Sequence, residues 1–245
     1  MSSQVPTPRQ FLTSLIESLN SIPTPTPTTP QPNTTTGTGN PLKLVPPAHR
    51  PLLTTLYALY PLTLLPALDL LDRRLATRII IAPPSHHQQG GATTTTTPAP
   101  APPQPPEEKG QPPSHHHSFY IVRSAQPQHP RRDTASASAP GPRYVVRLSS
   151  WNCSCAAFAF AAFPRGEDRY VINTAPRQPS KDDALEWQFG ALSLDGVQGS
   201  GIAGVPCCKH LLACVLAERW SAVLGGYVDE RVVGREEAAG LVADV

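Results

Sequence analysis

The sequence lacks the features of an exported or membrane-spanning chain. It has no N-terminal basic segment followed by an apolar one, and its leucine-rich stretch from Leu52 to Leu75 is interrupted by Pro61 and Pro66. We therefore expect a soluble intracellular protein without a membrane partner. All five cysteines lie between residues 153 and 214. In a reducing compartment such a set is a poor candidate for disulfides and a better one for metal ligands.

The sequence also contains few residue patterns that are typical of an enzyme. Cys208 and His210 are the only pair that resembles a nucleophile with its base, and no third residue that would orient the histidine can be identified. A Gly-rich phosphate-binding loop with a lysine is absent as well. We expect a binding protein with no catalytic residues and no small-molecule substrate.

Proline, by contrast, is abundant. The chain has 31 prolines, many within threonine- or alanine-rich runs, where they remove backbone donors and fix φ. Residues 1–50 are predicted to hold a short helix at 9–20 followed by a disordered Pro/Thr tether, and residues 83–117 a disordered Pro/Thr/His insert. The histidine runs at 86–87 and 115–117 have no organised cysteines or carboxylates around them, so we assign them to the insert.

The remaining segments predict an α+β fold. Leucines at helical spacing predict a helical hairpin over residues 51–82, whose second helix would carry Leu68, Leu71, Leu75 and Ile79 on one face. Apolar segments predict strands, at 119–122, 144–148, 157–163, 169–172 and 186–194. Two further helices are predicted, at 209–223 and 228–243.

Two tight pairs of ligand-type residues stand out, Cys153-x-Cys155 and Cys208-x-His210. The first pair follows a predicted strand, and residues two apart on an extended chain project from the same face. Residues two apart on a helix diverge by about 200°, so Cys208 must precede the apolar helix and His210 must lie in its first turn. Together the pairs predict one closed Cys₃His site for a single structural zinc ion.

Alternatives stay open at this site. Cys207 competes with Cys208 as a ligand, and Cys214, one turn along from His210, is interpreted as a core residue. All five cysteines could instead simply pack in a core, as small apolar side chains do. The site would constrain the 52 residues between Cys155 and Cys208, so we expect loss of zinc to unfold the module.

The pattern CxC then CxH, with a strand before and a helix after, resembles the SWIM zinc finger, a ββα unit. Ala213, three residues after the histidine, matches the extended form CxHxxA of the SWIM proteins of the Shu recombination complex. The leucine-rich residues ahead of the finger are similar to the helical part of its fungal members. On this resemblance the SWIM-type region spans residues 118–226, with its ligand core at 151–155 and 208–220. The variable loop at 164–206 departs from the family in its length, and the chain is expected to end in a C-terminal helix at 227–245.

This resemblance implies a function. A protein of the recombination group would pair with a paralogue of the strand-exchange recombinase, an ATPase, and support recombinase filaments on single-stranded DNA in the nucleus. The chain lacks a transposase-like domain before the finger and the extra cysteine pairs of a RING ligase, which favours this group. The alternative is a SWIM finger that binds DNA directly or serves chromatin or transcription. Trp151 and Ala213 are expected to be structural or interface residues. The apolar hairpin is predicted to supply the protein interface through Leu52, Leu56, Leu59, Leu64, Leu68 and Leu71.

The charge distribution bears on DNA contact. Residues 151–245 hold 12 Asp/Glu against 8 Lys/Arg, whereas residues 1–150 hold 6 against 12. An acidic finger-containing half is a poor electrostatic footprint for an autonomous DNA reader, so we expect DNA contact to be weak or indirect. The nearest basic residues either contact phosphate or are solvated charges: Arg123, Arg131, Arg132, Arg143 and Arg147.

Overall fold

The computed structural model describes residues 6–22, 42, 45–83, 118–125, 141–163, 187–191, 193 and 205–245. Within these ranges the chain has a mixed α/β fold built on a five-stranded sheet. The helices are α1 (Pro8–Asn20), α2 (Arg50–Leu59), α3 (Leu64–Asp72), α4 (Ala156–Ala162), α5 (Lys209–Arg219), α6 (Ser221–Leu224) and α7 (Arg235–Ala243). The strands are β1 (Ala76–Ile81), β2 (Ser118–Arg123), β3 (Arg143–Arg147), β4 (Asn152–Cys153) and β5 (Asp229–Val233).

The sheet has the strand order β4-β3-β2-β1-β5, antiparallel except for the parallel pair β1 and β5. Alternate residues of a strand face opposite sides, and β2 is apolar on both. Tyr120 and Val122 join the main core with α3 and α5, while Phe119 and Ile121 join a second cluster with Ala238 of α7. Helices therefore pack on both faces of the sheet.

The predicted N-terminal helix is confirmed as α1. Thr7 caps it in a capping box with Gln10, in which each side chain bonds the other's backbone N–H. Its apolar stripe is buried in the main core through Leu12, Leu15, Ile16 and Leu19. The helix is too short to be stable alone, so this packing stabilises it.

The predicted hairpin over residues 51–82 is correct for α2 and α3 but wrong for its end. Arg74 adopts a left-handed conformation (φ 48°) after α3, and residues 76–81 form β1 instead of continuing the helix. Three consecutive isoleucines are stiff at χ1 and favour a strand, and β1 has strand partners on both sides. Ile79, expected on the helical stripe, is paired with Phe119 across the sheet.

The hairpin leucines are not an open interface, contrary to the prediction. Leu56, Leu64 and Leu71 are fully buried in the chain's own core, against which the half-buried Leu52, Leu59 and Leu68 also pack. Helices α1 and α5 supply much of that cover, since α1 contacts α2 and α5 contacts α3. The apolar side chains that stay exposed around this hairpin are Tyr57, Leu62 and Leu65.

Two other element predictions are wrong. The apolar residues 157–163 were expected to form a strand, but the alanines of this segment, the best helix formers, give α4. The predicted helix at 228–243, and with it the C-terminal helix at 227–245, divides into β5 and α7. The valines of β5 pair with β1, and Gly234 separates the strand from the helix.

The segment at 186–194 contains a buried turn where a strand was expected. Phe189 is fully buried, and its N–H donates to Thr13 Oγ1 at 2.9 Å. Arg9, also buried, donates to the carbonyls of Ala191 at 2.9 Å and Ser193 at 2.7 Å. These bonds attach the turn to α1. The tethers, the histidine runs and the strand predicted at 169–172 lie mainly or wholly outside the described residues.

We predict that Gly190→Ala destabilises the protein by about 1–3 kcal/mol. Gly190 has φ +91°, and an added Cβ would lie 2.8 Å from Arg9 Nη1 and 2.9 Å from Val205 Cγ1. The control is Gly226→Ala, where an added Cβ meets nothing within 4 Å. Urea denaturation measures the unfolding midpoint of both variants. Equal midpoints for the two variants would contradict this account of the turn.

Among the described residues, no single helix has the length and apolar composition to cross a membrane. By length and composition alone, the helical pair Pro47–Leu59 and Leu64–Asp72 would qualify, but its two halves are bent by 115°.

Candidate metal centre

The four predicted ligands meet at one point in the fold. The ligand atoms of Cys153, Cys155, Cys208 and His210 all lie within 4.8 Å of one another. Each of the four residues is only 3% exposed. Two residue pairs separated by 52 positions thus form a single buried group of three sulfurs and one imidazole that can hold a metal ion.

The first pair is positioned by the end of a β-hairpin. Trp151, in a left-handed conformation (φ 48°), turns the chain from β3 into β4, which places Cys153 opposite Val146. Ser154 then holds the hairpin: its N–H donates to the Val145 carbonyl and its Oγ accepts from the Val145 N–H, both at 3.0 Å. The chain stays extended through Cys155, so the two cysteines present their sulfurs to one side.

The second pair sits at the start of α5, as predicted. Cys208 is the extended N-cap residue (φ −120°, ψ 167°), and His210 lies in the first helical turn. Because Cys208 precedes the helix, its side chain and that of His210 do not point in opposite directions, as they would if both residues were helical. Both can therefore reach the same point.

His210 presents its Nδ1 to the sulfurs. This atom lies 3.8 Å from Cys153 Sγ, while the ring packs on Tyr144 with centroids 4.5 Å apart. Tetrahedral zinc with ordinary Zn–S and Zn–N bonds would separate S and N by about 3.6 Å. The buried Nε2 has no hydrogen-bond partner among the described residues. The spacing of Nδ1 and sulfur fits a shared metal ion.

The sulfurs interact closely with one another. Hydrogen bonds from Cys153 and Cys208 lower the pKa of Cys155, and donating to Cys155 raises the pKa of Cys153. A bound cation favours the thiolate form of every ligand, so binding would release protons.

Two helices begin at cysteines of the cluster, and α4 was not among the helices that the sequence predicted. Cys155 Sγ accepts from the Phe158 N–H at 3.3 Å, and Cys208 Sγ accepts from the Leu211 N–H at 3.5 Å. Helix N-termini carry partial positive charge, which offsets the charge of thiolates. The signal for α4 was present in the sequence as the alanines that directly follow Cys155.

The neighbouring cysteines lie outside the cluster. Cys207, weighed as an alternative ligand, directs its thiol to the Cys208 carbonyl at 3.7 Å. Cys214 is fully buried within α5, and burial raises the pKa of its thiol well above the ordinary value. The cluster consequently contains Cys208 and not Cys207.

Trp151 links the two ligand pairs. Its indole Nε1–H donates to the Pro206 carbonyl at 2.7 Å, two residues before Cys208. The ring is 2% exposed and packs edge-on against Phe189, with centroids 4.6 Å apart. Trp151 therefore forms the turn that precedes Cys153 and also holds the segment that leads to Cys208. Ala213 lies on α5 without any exposed surface.

We predict that Ala213→Leu destabilises the fold by about 1–3 kcal/mol because the added atoms overpack the core around α5. Metal content should be retained, since Ala213 supplies no ligand atom. Thermal unfolding and metal analysis measure the two quantities. The control is Ala222→Leu on the exposed side of α6, and an Ala213→Leu protein as stable as this control would show that position 213 tolerates bulk.

Comparison with known proteins finds no family model that matches the chain and no curated protein that matches its sequence.

Proposed function

We propose that this chain is a non-catalytic, zinc-binding adaptor subunit that supports homologous-recombination DNA repair in the nucleus. Its partner would be a recombinase-paralogue ATPase, and its role the promotion of recombinase filament assembly. The observation that carries the proposal is the convergence of Cys153, Cys155, Cys208 and His210 into one buried cluster. The CxC pair on a hairpin and the CxH pair at a helix start are the elements by which the chain resembles a SWIM finger.

Zinc is the metal that this donor set favours. Three thiols and an imidazole suit a tetrahedral zinc site, and four protein ligands leave no position for a reacting water. The burial of all four residues also argues against the alternative in which Cys208 is a nucleophile, because a substrate would have to reach a side chain only 3% exposed. The site is therefore interpreted as structural.

The exposed apolar side chains indicate where a partner would bind. One group, Tyr57, Leu62 and Leu65, lies around the turn between α2 and α3, where Leu62 is 89% exposed. The other consists of Phe160 on α4 and Phe163 immediately after this helix, whose N-cap is Cys155. Exposed apolar groups of this kind commonly become protein interfaces. The second group would depend on the metal site for its position.

Affinity capture from cells, followed by mass spectrometry, tests the proposal. The full chain should recover a recombinase-paralogue ATPase, and Cys208→Ser should lose it together with resistance to replication-blocking lesions. Leu62→Asp with Leu65→Asp should weaken capture without loss of metal, which separates an interface effect from unfolding. Recovery of no ATPase, with nanomolar sequence-specific DNA binding by the purified chain, would favour the chromatin or DNA-binding alternative instead.

A further inference from the structure

Three arginines lie on one face of the sheet. Arg123 on β2 is directly opposite Arg143 on β3, and Arg147 lies four residues along β3 from Arg143, which places all three on the same side. Arg123 and Arg147 are exposed, and Arg143 is half-buried. This arginine face is defined by Arg123, Arg143 and Arg147. The other two arginines of the sequence cluster, Arg131 and Arg132, lie outside the described residues.

The arginine face has no acidic partner among the described residues. Elsewhere on the sheet Arg78 pairs with Glu230 and Arg231 with Glu237. No Asp or Glu occurs on β2, β3 or β4. Arg123 donates to the carbonyl of Arg74 at 3.4 Å, and the guanidinium of Arg147 lies 6.0 Å from the centroid of the Phe119 ring.

Three neighbouring arginines without an acidic partner in the described part of the chain lower the stability of the fold, so packing does not explain why they lie together. Like charges directly opposite each other on neighbouring strands are destabilising, and Arg123 faces Arg143 in this way. The charges of the sheet are segregated, with both signs towards β5 and only positive charge on β2 and β3. A surface of one sign attracts a ligand of the other.

We propose that the arginine face binds the phosphate backbone of single-stranded DNA. Guanidinium groups bind phosphate oxygens through two parallel hydrogen bonds, and the exposed Asn152, opposite Arg147, adds an amide donor at the same edge. Phe119, the aromatic residue of this face, is buried beneath Arg147 and offers no platform for base stacking. Binding is therefore electrostatic and without sequence preference.

The choice of single-stranded DNA rests on the proposed function, while the phosphate chemistry rests on the arginines themselves. Three phosphate contacts on a single strand give a slope of about −2 for log K against log salt, or about −0.7 for each contact. The acidic balance of residues 151–245 keeps the total affinity low. The expected binding is therefore weak and depends on salt with a slope of about −2.

The test is fluorescence anisotropy of labelled oligothymidine with the purified full chain across a series of NaCl concentrations. Arg123→Gln, Arg143→Gln and Arg147→Gln together should lower the affinity at low salt by at least about tenfold and bring the salt slope close to zero. The matched control also loses three positive charges, at Arg73, Arg74 and Arg231, each of which has a carboxylate partner. Thermal unfolding and metal content establish that both triple variants are folded.

Equal losses in the two triple variants would overturn the proposal, because net charge alone would then explain binding. Unchanged DNA binding in the arginine-face variant would overturn it as well, and loss of ATPase capture in that case would assign the face to an acidic protein. Partner capture is measured separately. Arginine-dependent DNA binding without any ATPase partner would thus contradict the proposed function while leaving this inference intact.

Discussion

Removal of the metal should abolish the cooperative unfolding transition of this protein. Structural zinc contributes about 10–16 kcal/mol to the folding of small zinc modules, while a whole domain is stable by only about 5–15 kcal/mol. The four ligands connect β4, the start of α4 and the start of α5. Three protonated thiols and an imidazole cannot replace the metal, since their burial would no longer be offset by coordination.

The ligand variants give this expectation its controls. Cys208→Ser should lose the metal and the thermal transition seen by near-ultraviolet circular dichroism. Cys207→Ser, at the adjacent position outside the cluster, should keep both, and Cys214→Ser should keep the metal with a modest loss of stability from its buried position. A cooperative transition that persists unchanged after chelation would show that the core alone holds the fold.

Trp151→Ala should be the most damaging change outside the ligands, with a loss of about 3–5 kcal/mol. The ring is buried, packs on Phe189, and donates to the carbonyl that precedes the second ligand pair. Truncation leaves a cavity and also leaves the Pro206 carbonyl without its donor. We expect weaker metal binding as well, because Trp151 joins the segments that bring both ligand pairs together.

Phe163→Ala is the matched control, since Phe163 is also aromatic and directly follows α4, the helix capped by Cys155, but is 70% exposed. Its unfolding midpoint in urea should equal that of the unchanged chain within experimental error. Substitutions of exposed residues rarely change the free energy of unfolding by more than about 0.5 kcal/mol. Competition with a chromogenic chelator measures the metal affinity of both variants. Similar behaviour of the two would mean that Trp151 does not link the ligand pairs.

The convergence of Cys153, Cys155, Cys208 and His210 was predictable because it depends on local structure. Spacing within each pair, together with the strand before Cys153 and the apolar helix after Cys208, determines which side chains can converge. Helix α1 was predictable for the same reason, from apolar spacing after a proline. The structure places Cys208 at the N-cap and His210 in the first turn, as this reasoning required.

The missed elements depend on contacts between distant segments. Residues 76–81 and 229–233 become strands because they pair with each other across about 150 residues of sequence, a relation that no local period reveals. The turn around Phe189 depends likewise on Thr13 and Arg9 of α1. The hairpin leucines were read as a free surface because nothing near them in sequence indicates that α1 and α5 cover them.

The most direct test of the proposed zinc site is X-ray absorption at the zinc edge of the purified full chain, combined with metal analysis. The account predicts about one zinc per chain, with three sulfurs at about 2.3 Å and one nitrogen at about 2.0–2.1 Å. In His210→Ala the nitrogen contribution should disappear, whereas Cys207→Ser should leave the spectrum unchanged. A four-sulfur shell that loses one sulfur in Cys207→Ser, or a folded chain without any bound metal, would contradict the Cys₃His site.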